Sequence, residues 1–237
     1  MPGFVFAVPV LPGKDPRAPA DALRGREAEY EESRARHGVT MERAYEQPTP
    51  MGTLVVAYIE SERGFAETMA ALAGSDLAVD RDFMAALRDV HGFDPAEMSA
   101  APPPEVVGEW WDEEAPERQP GLAFCAPLLP GRTDAARAFI HEAFVTRRDE
   151  LAAAWRELGL RGEVCTIVQT PQGDMTCVYV EGPDPERSNR LFAASQSPFM
   201  AWYRAQLMTV LPPGIDFNEA MPAMATIWDW HRVPTRA

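Results

Sequence analysis

The first half of the chain alternates short apolar runs with longer stretches in which apolar residues recur at helical spacing. The apolar run at 4–11 ends at Pro12-Gly13, a pair that cannot continue a strand, so it predicts a strand and then a turn. The elements predicted for this half are a strand at 4–11, a helix at 18–36, strands at 43–47 and 53–60, and helices at 65–73 and 75–87. Their order is β-α-β-β-α, which is that of a ferredoxin-like α+β module.

The same order of elements recurs in the second half of the chain. The segment LAFCAPLLPGR at 122–132 matches FVFAVPVLPGK at 4–14. The segment EVCTIVQTPQGDMTCVYVE at 163–181 matches ERAYEQPTPMGTLVVAYIE at 42–60. Collinear matches of this kind predict a tandem duplication. The predicted boundaries are a first module at 1–94, a linker containing Pro, Glu and Trp at 95–120, a second module at 121–217 and a Trp-bearing tail at 218–237.

Composition excludes several classes of partner. The formal net charge is −14 and the pI is about 4.7. Binding to nucleic-acid phosphates depends on clustered Lys and Arg, so we expect no nucleic-acid partner. No stretch approaches the roughly 18 apolar residues of a membrane helix, and residues 1–11 lack the pattern of a signal peptide. We therefore expect a cytoplasmic protein without a membrane partner.

Cysteine spacing and short motifs give no sign of a metal or nucleotide site. Cys125, Cys165 and Cys177 form no CxxC pair and lie in apolar, strand-like runs, which predicts buried free thiols. The phosphate loop, the Rossmann fingerprint, HExxH and GxSxG are all missing from the sequence. The residues by themselves therefore predict neither a metal nor a cofactor.

Several segments resemble the dimeric α+β barrel superfamily. They are the LPG[KR] turn, the GD-x-x-x-x-Y-x-E strand at 173–181 and the Ser-x-x-Pro helix start at 195–198. The resemblance implies two ferredoxin-like modules in tandem that form an intramolecular α+β barrel, with ligands between sheet and helices. The members of this superfamily include cofactor-free monooxygenases, aromatic polyketide cyclases and haem-binding proteins. Fold alone does not choose among these activities.

Histidine is the first candidate for acid–base chemistry or haem ligation. His37 precedes Gly38 at a predicted helix end and His91 precedes Gly92 in a predicted turn, so we expect both at the surface. His141 lies beside Ile140 and Phe144 on the long helix of the second module, where its side chain could reach a cavity. His141 is therefore the candidate catalytic imidazole, and the alternative haem ligand.

Aromatic and polar residues of the second module suggest that the ligand site lies there. Tyr179 is a second catalytic candidate, because its hydroxyl in an apolar pocket could orient a phenolic or carbonyl substrate. Cys177 shares its strand face under period-2 alternation. Arg148 belongs to a basic pair that could hold an anionic ligand. The remaining candidate ligand-binding residues are Trp155, Trp202 and Tyr203. In this hypothesis the first module completes the barrel.

Three functions are consistent with these observations. The leading one is a small-molecule enzyme or binding protein for a hydrophobic or aromatic ligand, of the cofactor-independent monooxygenase or cyclase type. The second is a haem-binding barrel protein. The third is a non-catalytic interaction protein that docks through its Trp-bearing tails, because exposed Trp is costly. The chain would be a pseudo-dimeric monomer or a homodimer.

Overall fold

A computed structural model describes residues 3–115, 117–222 and 224–232, which form two compact units. The first unit comprises residues 3–104 with 224–232, and the second comprises residues 105–222. Each contains a four-stranded antiparallel sheet and helices, which confirms the predicted α+β class. None of the helices in the described part of the chain is long and apolar enough to cross a membrane.

The first unit has the predicted β-α-β-β-α order with additional short helices. Its elements are β1 (Gly3–Pro9), α1 (Ala18–Asp21), α2 (Glu27–His37), β2 (Val39–Thr49), β3 (Gly52–Ser61), α3 (Phe65–Ala73), α4 (Ala78–His91), α5 (Pro95–Met98) and, near the C-terminus, β8 (Ala225–His231). The helix expected at 18–36 is split into α1 and α2. The backbone at Gly25 has φ +77°, in the left-handed region, which interrupts the helix there.

The second unit follows the same order. Its elements are β4 (Glu105–Trp111), β5 (Gly121–Pro127), α6 (Thr133–His141), a π-helical segment (Glu142–Thr146), α7 (Arg148–Leu158), β6 (Gly162–Thr170), β7 (Gly173–Glu181), α8 (Pro185–Ala194) and α9 (Pro198–Val210). The helix predicted from Thr133 to Leu158 is therefore interrupted by the π-helical segment, where the hydrogen-bonding pattern widens.

The Thr-Pro-x-Gly motif forms the tight hairpin turn in both units. The Thr49 hydroxyl lies 2.7 Å from Gly52 O, and Met51 N donates back to that hydroxyl at 3.2 Å. The corresponding distances around Thr170 are also 2.7 and 3.2 Å. Gly52 adopts φ +128°, which an L side chain rarely tolerates. The hairpin that the sequence predicts is therefore confirmed, and these side chains hold it closed.

Each sheet takes its fourth strand from a segment that the sequence analysis places outside the modules. The strand order is β1-β3-β2-β8 in the first unit and β4-β6-β7-β5 in the second. β4 lies in the predicted linker 95–120, and β8 lies in the predicted tail 218–237. Of those two segments, residues 116, 223 and 233–237 lie outside the described part. The linker and the tail thus supply edge strands.

The Trp-bearing tails lie in these edge strands. Trp110 in β4 is buried, and Trp228 and Trp230 in β8 are partly buried. The rings of Trp228 and Trp230 pack edge-on against Tyr30 of α2, at centroid distances of 5.1 and 5.5 Å. Trp228 Nε1 also donates to the Tyr30 hydroxyl at 3.0 Å. These indoles are therefore covered, at least in part, by residues of their own units.

We expect Trp228→Ala to lower the free energy of unfolding of the first unit by about 2 kcal/mol. Full burial of a Trp is worth about 3–5 kcal/mol in such substitutions, and Trp228 is only partly buried. Trp228→Phe keeps the ring contact with Tyr30 and loses the hydrogen bond, so its effect should be about half as large. Urea unfolding checks both values. Equal stability of Trp228→Ala and the parent would show that β8 does not anchor α2.

Candidate functional site

An apolar cavity of about 100 Å³ lies between the sheet and the helices of the first unit. Small side chains on the central strands, Ala44 of β2 and Ala57 of β3, leave room in its floor. Larger apolar residues complete the lining; they include Phe6, Val8, Val55, Ile59, Met69, Leu72, Phe83, Met84, Leu87, Phe93, Met98, Ile227 and Trp228. Such a lining suits a hydrophobic or aromatic ligand.

Glu42 brings a carboxylate to the wall of this cavity. It pairs across the sheet with Ile59, another lining residue, so both side chains lie on the helix-facing side. Glu42 Oε2 accepts hydrogen bonds from the Tyr30 hydroxyl and from Arg34 Nε, each at 2.7 Å. Oε1 takes neither of these bonds. Oε1 is therefore the atom of Glu42 that a ligand donor could reach.

Arg34 is fully buried and joins Glu42 to a second carboxylate. Its Nη1 lies 3.0 Å from Asp80 Oδ1, which also accepts from the Ser33 hydroxyl at 2.6 Å. The guanidinium carbon lies 4.1 Å from the centre of the Tyr30 ring, a cation–π contact. Burial lowers the pKa of Arg34, but the charges of Glu42 and Asp80, the contact with Tyr30 and the hydrogen bond to Glu42 together outweigh it, so the net shift of the pKa is upward. Arg34 therefore stays charged and fixes the Glu42 carboxylate.

His37 and His91, which we expected at the surface, are both buried. His37 Nε2 lies 3.3 Å from Asp80 Oδ2, and burial lowers the pKa of its imidazole despite that carboxylate. His91 lines the apolar cavity, and its Nδ1 lies 2.8 Å from Pro9 O. The surface expectation was wrong for both because their contacts, Asp80 for His37 and Pro9 for His91, are distant in sequence.

The second unit has a glutamate, Glu163, at the corresponding position, and among the residues that the structure describes no cation pairs with it. Glu163 accepts from Trp155 Nε1 and from Cys165 Sγ, the latter at 3.4 Å. Complete burial raises the pKa of Glu163 to about 7, although both hydrogen bonds oppose the shift. Burial, and then the charge of Glu163, also raise the pKa values of Cys165 and Tyr203. This cluster therefore favours neutral groups.

Two of the predicted ligand residues of the second unit, Tyr179 and Cys177, lie on the other face of the sheet from Glu163. Tyr179 pairs with Val164, and Cys177 pairs with Thr166, whereas Glu163 pairs with Val180. Residues opposite one another in a sheet share a face, so Tyr179 and Cys177 lie on the face away from Glu163. Because Glu163 contacts Trp155 of α7, its face is the one toward the helices.

The predicted aromatic residues do meet, but as a packed cluster. The ring of Tyr203 lies 5.2 Å from that of Trp155 and 4.9 Å from that of Phe139. Trp202 lies 5.8 Å from Phe139 and is capped by Arg147, whose guanidinium carbon is 4.1 Å from its ring. Aromatic richness in the second unit thus reflects filling of the space between sheet and helices.

The remaining two predicted site residues, His141 and Arg148, lie on the exposed surface of the second unit. His141 is at the end of α6 and lines no part of the apolar cavity. Arg148 begins α7, where it is solvated. The apolar cavity with Glu42 in its wall belongs to the first unit. Side-chain size contributes to it, since Ala44 and Ala57 of the first unit correspond to Cys165 and Val178. The expectation of a ligand site in the second unit stays a prediction.

A second concave region, of about 260 Å³, lies in the second unit beside β4 and the end of β7. Several of its charged groups form ion pairs. Asp112 is buried and contacts Arg156 at 3.0 Å and Arg161 at 2.9 Å. Glu181 accepts from the Tyr179 hydroxyl at 2.7 Å and faces Arg118 at 3.5 Å. This region is an ion-pair network, in contrast to the apolar cavity of the first unit.

The relative positions of the His, Cys, Asp and Glu side chains determine whether they could hold a metal ion. Among residues 3–115, 117–222 and 224–232, no three His, Cys, Asp or Glu side chains are placed to hold a metal ion together. The three cysteines are buried free thiols, as the apolar context of each predicted. The carboxylates Glu42 and Asp80 are instead neutralised by Arg34.

Comparison with known proteins gives similarity at the level of fold. The sequence matches no protein-family model and no curated protein. An anthrone oxidase-like protein of known structure is 12% identical, with 97% of this chain and 95% of that chain covered at a TM-score of 0.51. A "putative monooxygenase" from Lactobacillus acidophilus NCFM is 11% identical, with 98% and 100% covered at 0.50. At these identities the likeness shows a shared α+β fold.

We expect Arg34→Met to destabilise the first unit by about 3 kcal/mol or more. Removing the buried cation leaves Glu42 and Asp80 as uncompensated buried charges, and broken pairs of this kind cost about 3–5 kcal/mol. Arg36→Met on the same helix is the control, because Arg36 is about half exposed. Chemical denaturation measures both. If the two variants lost the same free energy of unfolding, the buried network would contribute no more to stability than the exposed Arg36 does.

The raised pKa of Glu163 predicts a pH-dependent stability. Glu163 keeps its proton up to about pH 7 when folded, against an ordinary value of 4.5. Stability should therefore fall as pH rises from about 4.5 to 7, and then level off. Glu163→Gln should remove this dependence and be more stable than the parent at pH 8 by up to about 3 kcal/mol, since one pK unit is about 1.4 kcal/mol.

Thermal unfolding from pH 4 to 9 checks this expectation, with Glu157→Gln as the control. Glu157 lies on the exposed side of α7, so its substitution should leave the pH profile of the parent unchanged. In Glu163→Gln the amide can keep its carbonyl toward Trp155 and turn its NH₂ toward Cys165. A profile for Glu163→Gln that parallels the parent would mean that Glu163 is ionised in the folded protein.

Proposed function

We propose that this protein is a small-molecule enzyme of the monooxygenase-like type, and that the cavity of the first unit binds its substrate. The observation that carries the proposal is the apolar cavity between sheet and helices, with the Glu42 carboxylate in its wall. The two structural neighbours described as an anthrone oxidase-like protein and a monooxygenase support the reaction class through fold alone. The substrate would be a hydrophobic, aromatic molecule.

The cavity residues would divide the work of binding. Apolar walls would exclude water and hold the rings of the substrate, which strengthens the few polar contacts inside. Glu42 Oε1 would accept a hydrogen bond from a hydroxyl group of the substrate. Arg34 and Tyr30 would keep the carboxylate in place, because both bind Oε2. Such a charged acceptor would select substrates that carry a donor.

The chemistry proposed is oxygenation with molecular oxygen as oxidant, or ring closure, at an electron-rich carbon of the substrate itself. No bound metal or organic cofactor enters this proposal. The haem alternative finds no support in His141, because that residue is exposed on the second unit and lines no part of the cavity. In this proposal the tail Trp residues serve the packing of their own sheets, since they lie in edge strands.

Filling the cavity tests the proposal. Ala57→Leu adds three carbons to the cavity floor and should weaken binding of 2-naphthol at least tenfold, because the added side chain occupies the space of the ligand. Isothermal titration calorimetry measures the affinity. Oxygen uptake with anthrone as trial substrate measures turnover, which Ala57→Leu should abolish.

Ala85→Leu is the matched control. Ala85 lies on the exposed side of α4 in the same unit, so this substitution adds the same volume outside the cavity. It should bind and turn over like the parent. Equal affinity of Ala57→Leu, Ala85→Leu and the parent would place the ligand elsewhere and overturn the assignment of the site.

A further inference from the structure

His91 occupies a defined place at one end of the cavity. It is the last residue of α4, and it is 5% exposed. Leu11 N donates to Val90 O at 2.9 Å, which joins this helix end to the segment after β1. Gly92 then turns the chain with φ +74°, and a Cβ there would press on the Leu11 side chain at 3.0 Å. The backbone is therefore fixed on both sides of His91, which restricts the position of its imidazole.

The hydrogen bond of His91 fixes its tautomer. Nδ1 lies 2.8 Å from Pro9 O, and a carbonyl oxygen can only accept. The proton of the neutral ring must then be on Nδ1, which leaves a lone pair on Nε2. No hydrogen bond to Nε2 comes from the described residues. Nε2 is thus the nitrogen that remains for a ligand in the cavity that His91 lines.

The surroundings keep this imidazole neutral. Burial lowers the pKa of His91, although the bond to Pro9 O opposes the shift. The charged groups nearest in the chain are paired with one another: Asp89 of α4 lies 2.6 Å from Lys14, and Arg88 of α4 lies 3.2 Å from Asp94. The lowering therefore follows from burial in an apolar site, and the ring is in its base form at neutral pH.

Glu42 and His91 lie at opposite ends of the cavity. Glu42 is level with Ile59, which pairs with Phe4 near the start of β1. His91 binds Pro9 at the end of the same strand. Five residues of strand separate the two levels, roughly 16 Å at the usual rise per residue. One substrate atom cannot meet both groups, so the two have different roles.

We propose that His91 is a catalytic residue, the general base that takes the proton of an acidic hydroxyl or activated carbon of the aromatic substrate. This inference rests on the proposed function of the cavity. In the step, the O–H or C–H bond of the substrate breaks and its electron pair stays on the substrate as a phenolate or enolate. The proton passes to Nε2, and the imidazolium keeps its Nδ1–H on Pro9 O. The electron-rich anion is then the species that an oxidant or an internal electrophile attacks.

The experiment uses 7-hydroxycoumarin, an aromatic phenol whose anion absorbs at longer wavelength than the neutral form. Its apparent pKa is measured when bound to the full-length parent and to His91→Asn. Asn places its amide NH near the position of Nδ1, so it can keep the bond to Pro9 O but has no second nitrogen. We expect the bound phenol to ionise at a pH at least one unit lower, a tenfold shift, in the parent than in His91→Asn.

Two further readouts separate a base from a structural His. Long-range ¹H–¹⁵N spectra of histidine-labelled protein should show His91, assigned with His91→Asn, as the tautomer protonated on Nδ1. Turnover of anthrone should fall about 100-fold or more in His91→Asn, with loss of the acid limb of the pH–rate profile. His231→Asn, at an exposed histidine that does not line the cavity, should change neither the spectrum of His91 nor the rate.

The outcomes separate the role of His91 from the proposed function of the cavity. If His91→Asn binds 7-hydroxycoumarin as the parent does and ionises it at the same pH, His91 is not the base, although the cavity still binds. A His91 protonated on Nε2 in the free protein also overturns the inference. If the parent binds neither 7-hydroxycoumarin nor the uncharged hydrocarbon 2-methylnaphthalene, the proposed function of the cavity fails.

Discussion

The ion pair between Arg34 and Glu42 organises the first unit. A fully buried guanidinium requires anionic partners, and Glu42 and Asp80 supply them from a strand and a helix. The same pair requires Tyr30, whose ring lies under the guanidinium and whose hydroxyl binds Glu42. Tyr30 in turn is covered by Trp228 of β8. One charge buried in α2 thus ties together the sheet, two helices and the last strand.

The cost of burying that charge explains why the two units differ. A buried pair is often no more stabilising than an apolar replacement of similar size. The second unit has such a replacement, since Trp155 stands where the alignment places Arg34, and Glu163 there faces an indole. Its interior is packed with aromatic rings. The first unit keeps the charges, together with a cavity beside them, which is the arrangement expected where polar groups serve a ligand.

Sequence predicted the fold more fully than the site, and Glu42 shows why. The strands, the Thr-Pro-x-Gly hairpins and the helix-terminating glycines depend on neighbours within a few residues, so local patterns are sufficient. Glu42 and Glu163 were visible as a repeated identity. Their surroundings are set by α2 and α7, which bring Arg34 to Glu42 and Trp155 to Glu163. The sequences of these helices do not show that either side chain points toward its glutamate. Only packing shows which side chain points inward.

His91 illustrates the same limit at longer range. Its partner, Pro9 O, is 82 residues away in the chain, and a backbone carbonyl has no signature in the sequence. The aromatic residues of the second unit present a related difficulty, because aromatic residues can fill a space as readily as they line one. Whether they fill the space or line a cavity depends on the volume available between the sheet and its helices. That volume depends on all the side chains that enter it.

The origin of the fourth strands has a consequence for biosynthesis. The second sheet draws β4 from residues that leave the ribosome before the rest of that unit, so it can assemble as soon as β7 is made. The first sheet needs β8, which is translated after all the strands and helices of the second unit. Until then the edge of β2 is unpaired and Tyr30 lacks its indole cover. Of the two units, the one that begins first is therefore completed second, and the emerging chain must carry an open sheet edge while the second unit is synthesised.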